Sequence, residues 1–268
     1  AGWTTEADLL DGMRIDAVPM MPRAATRRMV RSVESMAFRS GLDLLVLGEN
    51  YTGPGDEGRA IIRAFLGSRL DGLHSAFDFP LMWALRAALA SYLLGLDALE
   101  TEIAKSRAAY AGSGAVMATL LGNHDTPRFL SEATGNAGND PWQQPPTQPA
   151  EAQPYRRQLM GLAMLLTLPG IPVLYYGDEL GMAGANDPDS RRPLPEILGN
   201  DLPEVQAELL RQTGRIGRLR ACLPALRRGQ RQPLTSDRDS SVALHLPPLQ
   251  ENPAEQSVTN QDPVIVVL

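Results

Sequence analysis

Three carboxylates stand where strand-like apolar runs end: Asp16 within MRIDAV, Glu49 after LVLG, and Asp125 after LLGNH. About one βαβ unit of roughly 30 residues separates the first two, and Asp125 follows after room for two more units with long loops. When strands run parallel in a barrel, their C-terminal ends open on one face, so acids carried by separate strands converge there. Two carboxyls flanking one bond can cleave a glycoside: one protonates the leaving oxygen while the other attacks the anomeric carbon or activates water. Crowding of like charges also raises the pKa of at least one of them, which suits it to act as the acid. Any one strand-end acid alone is better read as solvated or as a helix cap, so the joint placement carries the inference. Arg14 alternates with Asp16 along one strand; the two side chains therefore share a face, and the guanidinium favours the ionised carboxylate.

Five apolar runs have strand character: 12–18, 42–48, a short one near 73–79, 115–121 and 171–176. Helical patterns lie between them, over 24–41, 57–68, 80–110 and 154–170. Strand and helix thus alternate, which predicts parallel βαβ units and an α/β fold. The stretch 136–154, rich in Pro, Gln and Asn, is a loop. After Gly181 a polar loop, GANDPDSRRPLPEILGN, leads to one helix over roughly 203–228. Two alternating runs follow, SVALHL (241–246) and PVIVVL (263–268), and predict the start of a small antiparallel β domain. The expected division is 1–228 for the α/β part and 229–268 for the β part.

The chain has 268 residues, 43% of them apolar, and a net charge of -6. It is long enough for a real core, and its charge gives no reason to bind nucleic acid or an anionic membrane while not opposing a neutral sugar. The single cysteine, Cys222, excludes an internal disulfide and is expected to be a buried structural thiol. No apolar run has the length of a membrane span, and AGWTTEADLL lacks the pattern of a signal peptide. A soluble chain is expected, with no compartment assigned.

DGMRIDAV, LGENYTG and LLGNHDTPRF resemble the second, third and fourth conserved regions of the α-amylase family, and GIPVLYYGDELGM is similar to its last barrel strand and following loop. The resemblance runs from about Leu10 to Arg192. It implies a partial (β/α)8 TIM barrel, strands four to eight, followed by the start of a C-terminal antiparallel β domain. It also implies a retaining glycosidase acting on α-linked glucans or oligosaccharides, or alternatively a transglycosidase of the same family or a catalytically incomplete sugar-binding homologue. Carried over by motif, Asp16 is the nucleophile, Glu49 the general acid/base, and Asp125 the stabiliser of the oxocarbenium-like transition state. Arg14 would orient Asp16, and His124 would donate to sugar hydroxyls, although a histidine beside an aspartate is by itself more often a loop hydrogen bonder. DPDSRRP resembles a substrate loop, which makes Asp187, Arg191 and Arg192 sugar-binding candidates; the competing reading is a turn held by a surface ion pair. Among aromatic residues, Tyr51 and the loop residue Trp142 are candidates for sugar stacking, whereas Trp83 and Tyr175 are expected to pack in the core.

Two departures from the family pattern carry their own expectations. Pro19, Met20 and Met21 stand where many members have a histidine or a Lys-His pair, which implies altered subsite preference. The family's first conserved region has no counterpart, so the chain is expected to be a fragment that begins near the fourth strand. No metal ligand is assigned within it; calcium, which some members bind, would draw most of its ligands from outside this chain.

Overall fold

The computed structural model describes residues 11–68, 71–195, 202–246 and 263–267. The reading of AGWTTEADLL, the final part of the 182–200 loop and the end of PVIVVL lie outside them. Two compact units are present. The first comprises Ala1–Leu81 with Ile103–Ala118, the second Met82–Glu102 with Thr119–Leu268.

In the first unit β1 (Gly12–Ile15), β2 (Leu45–Gly48) and β3 (Ser75–Ala76) form a parallel sheet in chain order, with Ile15 opposite Gly48 and Gly48 opposite Ala76. A parallel bridge joins Phe77 to Ala118. Helix α1 (Arg23–Ser40) presents Thr26, Val30, Val33 and Ala37 on one face, a helical period that buries it. Gly41, at φ 66°, ends it with its N–H on the carbonyls of Ala37 and Phe38. In α2 (Gly55–Leu66), Asp56 and Glu57 complement the positive N-terminal end, and Ile62 and Leu66 join Ile15, Val46 and Leu73 in one core. A side chain at Gly48 would bring its Cβ to 2.3 Å from Leu73 Cδ1, so a larger residue before Glu49 would have to push the Leu73 side chain aside.

Helices α3 (Phe79–Leu89) and α4 (Leu96–Tyr110) replace the single helix expected over 80–110. Periodicity continues through the break, but backbone pairing overrides it: Leu96 N–H donates to the Arg238 carbonyl and Asp97 N–H to that of Asp237, each at 2.9 Å. A Cβ on Gly95 would lie 3.2 Å from Arg238 Cα, and Tyr92 in the break is left-handed at φ 54°. In the second unit β4 (Ala118–Leu120) neighbours β5 (Ile171–Val173), with the short α5 (Phe129–Ala133) and the longer α6 (Ala152–Thr167) between them in sequence. The helix expected over 203–228 is also divided, into α7 (Glu204–Cys222) and α8 (Pro224–Arg228), because Pro224 cannot continue α7 but suits the first turn of the next helix. Cys222, expected to be buried, is exposed at the end of α7.

The antiparallel domain has a third strand that the apolar pattern missed. β6 (Gln230–Ser236), β7 (Ser241–Leu246) and β8 (Val264–Val267) pair in that order, with an irregularity after Pro233 in β6. Its polar composition and internal proline conceal β6 from a hydropathy reading. Arg231 in β6 grips buried Glu100 of α4 through both carboxylate oxygens, and Ser241 Oγ donates to Glu100 Oε1 at 2.6 Å.

His245 lies opposite Arg231, fully buried, and neither ring nitrogen has a hydrogen-bond partner among the described residues. Burial, reinforced by Arg231 and Arg220 and only partly opposed by Glu100, pushes its pKa down to about 4. The unfolded chain takes up this proton near pH 6.5 and the folded chain only near 4, so stability falls with pH through that window. Urea unfolding should therefore lose about 2 kcal/mol between pH 7 and pH 5 through this residue, and His245→Leu should remove that part of the slope. Equal slopes for both proteins would refute the assignment.

Candidate active site

The predicted residues fall into two groups, one in each unit. In the first, Arg14 near the end of β1 stands between two acids: its Nη1 lies 2.8 Å from Asp16 Oδ1 and its Nη2 2.7 Å from Glu49 Oε1. The Asp16 side chain is 72% exposed, whereas that of Glu49 is 8% exposed. Strand alternation foresaw the pairing of Arg14 with Asp16. The pairing with Glu49 depends on the register between β1 and β2, which brings the two strand ends level. Burial works against the charge on Arg14, but hydrogen bonding to Glu49 and then Asp16 outweighs it and raises its pKa, so the guanidinium stays charged.

The backbone reinforces this arrangement. Glu49 N–H donates to the Ile15 carbonyl and Val18 N–H to the Glu49 carbonyl, both at 2.9 Å. Between Asp16 and the 3-10 turn Val18–Met20, Ala17 adopts a left-handed conformation at φ 44° and points its N–H at Glu49 Oε2, 3.4 Å away. Such a conformation costs a non-glycine residue on the order of 1–2 kcal/mol and persists where the surroundings impose it. Tyr51 is half exposed, its ring 4.8 Å from that of Phe79. Met20 is largely exposed.

In the second unit, Asn123 Oδ1 accepts the Asp125 N–H at 3.0 Å, and the Asn123 N–H donates to Thr126 Oγ1 at 3.0 Å. His124 Nε2 lies 3.2 Å from Asp125 Oδ2, and Arg191 Nη2 lies 3.2 Å from Asp125 Oδ1. Arg191 Nε also pairs with Asp187 Oδ1 at 2.9 Å. The surface ion pair weighed against a substrate loop is therefore present, but its arginine also reaches the candidate catalytic acid. Arg192 is turned elsewhere, held by Asp189 and by the Pro146 carbonyl at 2.9 Å. Trp142 is 79% exposed, while Trp83 and Tyr175 are only half-buried rather than core residues, and Tyr175 lies beyond β5.

Two carboxyls that the sequence reading did not single out are buried nearby in the chain. Asp78 accepts hydrogen bonds from Tyr110 Oη at 3.1 Å and from the Leu81 N–H at 3.2 Å, capping α3; burial raises its pKa against those bonds. Asp178 lies 3.3 Å from Arg128 Nη1, and burial, opposed by Arg128, lifts it to about 7. Among the described residues no group of three or more His, Cys, Asp or Glu side chains is arranged to hold a metal ion. No helix is long and apolar enough to cross a membrane among the described residues.

A carboxyl with a raised folded-state pKa contributes stability that is complete below its unfolded value and is lost as pH rises through the folded one. Asp178 should thus cost the fold about 2–3 kcal/mol between pH 5 and pH 8. Asp178→Asn, which keeps an oxygen for Arg128, should gain on the wild type in urea midpoint across that interval. A constant difference between the two proteins at both pH values would contradict this.

Comparison with known proteins places the chain among enzymes of one family. Neopullulanase 2 of Thermoactinomyces vulgaris is 27% identical over 237 residues, which span 87% of this chain and 34% of that enzyme. The alpha-amylase of Geobacillus thermoleovorans, solved with acarbose, superposes with a TM-score of 0.67 and 26% identity over 88% of this chain and 48% of that one. The ligand-free cyclic alpha-maltosyl-(1→6)-maltose hydrolase of Arthrobacter globiformis gives a TM-score of 0.69 at 22% identity, covering 96% of this chain and 55% of its own. The chain thus spans about a third of the first relative and about half of the two solved chains. The α/β part followed by an antiparallel sheet is a partial (β/α)8 barrel with the start of a C-terminal β domain. Residues 2–215 match the alpha amylase catalytic-domain family, and the chain belongs to it.

Proposed function

We propose that the protein cleaves α-glucosidic bonds in oligo- or polysaccharides with retention, Asp16 acting as nucleophile and Glu49 as general acid/base. The observation that carries this reading is the single guanidinium of Arg14, ion-paired with both carboxylates at once. Two carboxyls paired with one guanidinium face one site, as a glycosidase acid pair must; retention is what the resemblance to the family implies. Glu49, the more enclosed acid, protonates the leaving oxygen as Asp16, open to solvent and substrate, attacks the anomeric carbon. The glycosyl–Asp16 ester is then released by water that Glu49 deprotonates. Asp125, held by His124 and Arg191, takes the role that its motif implies, stabilising the oxocarbenium-like transition state. Arg191, His124, Tyr51 and Asp187 are the contacts for sugar hydroxyls and rings, and the largely exposed Met20 favours a less polar subsite beyond the nucleophile.

The domain division at about residue 228 belongs to the same reading, as does an α-linked glucan as the substrate. The test is the stereochemistry and dependence of turnover in the protein expressed from its complete coding sequence. Proton NMR of early products from maltotriose should give the α-anomer first, and Asp16→Asn should lower kcat by at least about a thousandfold, the scale on which a nucleophile acts. A β-anomer as first product, or undiminished turnover by Asp16→Asn, would sink the proposal.

A further inference from the structure

Arg128 is almost fully buried, yet it reaches three segments of the second unit at once. Its backbone N–H donates to the Gly184 carbonyl at 3.0 Å. Its Nε donates to the Ser190 carbonyl at 2.8 Å, and its Nη1 to the Tyr176 carbonyl at 2.5 Å. The guanidinium carbon also lies 4.1 Å from the ring centre of Tyr175 and 4.8 Å from that of Tyr176. The packing leaves no slack, since a Cβ on Gly184 would meet the Asp189 carbonyl oxygen at 2.7 Å and Arg128 Cγ at 3.1 Å.

The segment gripped in this way is the one that holds the candidate stabilising acid. Ser190 Oγ and Arg191 Nε both donate to the His124 carbonyl at 3.1 Å, and Arg191 Nη2 reaches Asp125. We propose that Arg128 is a positioning residue for Asp125: by fixing Ser190 and Arg191 from within the core, it sets where the carboxylate stands while touching neither it nor substrate. This rests on the glycosidase reading above. Only a planar guanidinium serves here, because its donors diverge to carbonyls on two loops while its face stacks on two tyrosine rings; a lysine ammonium is a point charge without that fork. Asp189, bonded to Arg192 and to the Ala185 N–H at 2.7 Å, holds the same segment independently, so Arg128→Lys can fold with a loosened clamp.

The experiment is a double-mutant cycle in the protein expressed from its complete coding sequence, with maltotriose as substrate and thermal melting as the folding control. Arg128→Lys is expected to lower kcat by about tenfold or more with KM moved less than about threefold, the split expected when a transition-state contact is weakened. In an Asp125→Asn background the same change should cost less than about twofold further, because a residue that acts through Asp125 has nothing left to position. An equal loss of kcat in both backgrounds would overturn the proposal, as would an unchanged kcat in folded Arg128→Lys. If Arg128→Lys lacks a folding transition, Ser190→Ala decides the matter in the same cycle, a non-additive loss supporting the proposal and an additive loss or none overturning it. Turnover by Asp125→Asn equal to wild type would instead overturn the glycosidase reading and this proposal with it.

Discussion

A buried guanidinium must be surrounded by acceptors, and that requirement organises the loops of this protein more than any apolar contact does. All but one of its 25 basic residues are arginines, and Arg59, Arg86 and Arg128 are among its largest fully buried side chains. Arg86 spends its donors on Glu132, the Leu121 carbonyl at 2.7 Å and the Pro127 carbonyl at 3.0 Å, so it grips the chain on both sides of the turn that carries Asp125. Arg220 takes only carbonyls, those of Leu166, Leu168, Gly170 and Leu226, and burial lowers its pKa with Arg227 adding to the effect. Stripping water from such charges is costly unless their donors find acceptors, so Arg86, Arg128 and Arg220 each hold two or more backbone carbonyls, while Arg128 Nη2 is buried without a hydrogen-bond partner among the described residues. Loops anchored in this way behave as extensions of the core.

This principle also separates what the sequence disclosed from what it hid. The five parallel strands were found as apolar runs, three of them with an acid at or near the end. The pairing of Arg14 with Asp16 followed from alternation along one strand. Its pairing with Glu49 did not, because it depends on register between strands, a non-local quantity. The break at Ser91–Gly95 was hidden for a related reason: the residues that impose it, Asp237 and Arg238, lie about 140 positions later in the chain. Arginine anchors were missed because hydropathy assigns arginine to the surface, and Arg128 stood in plain view inside LLGNHDTPRF as the motif's penultimate residue.

The two acids beside Arg14 illustrate how environment divides labour between identical chemical groups. One guanidinium pairs with both, while the backbone encloses Glu49 and leaves Asp16 open. The enclosure comes from the left-handed turn at Ala17 and the exchange of backbone hydrogen bonds between residues 15, 18 and 49. Local strain here supports geometry at the place where the geometry matters.

Gly48 connects that site to the opposite side of its sheet. Its missing side chain leaves Leu73 room to fill the core under the strand, and the next residue is Glu49. Core shape and acid placement are therefore neighbours in the chain: a larger residue at position 48 would press on Leu73 one peptide unit away from Glu49.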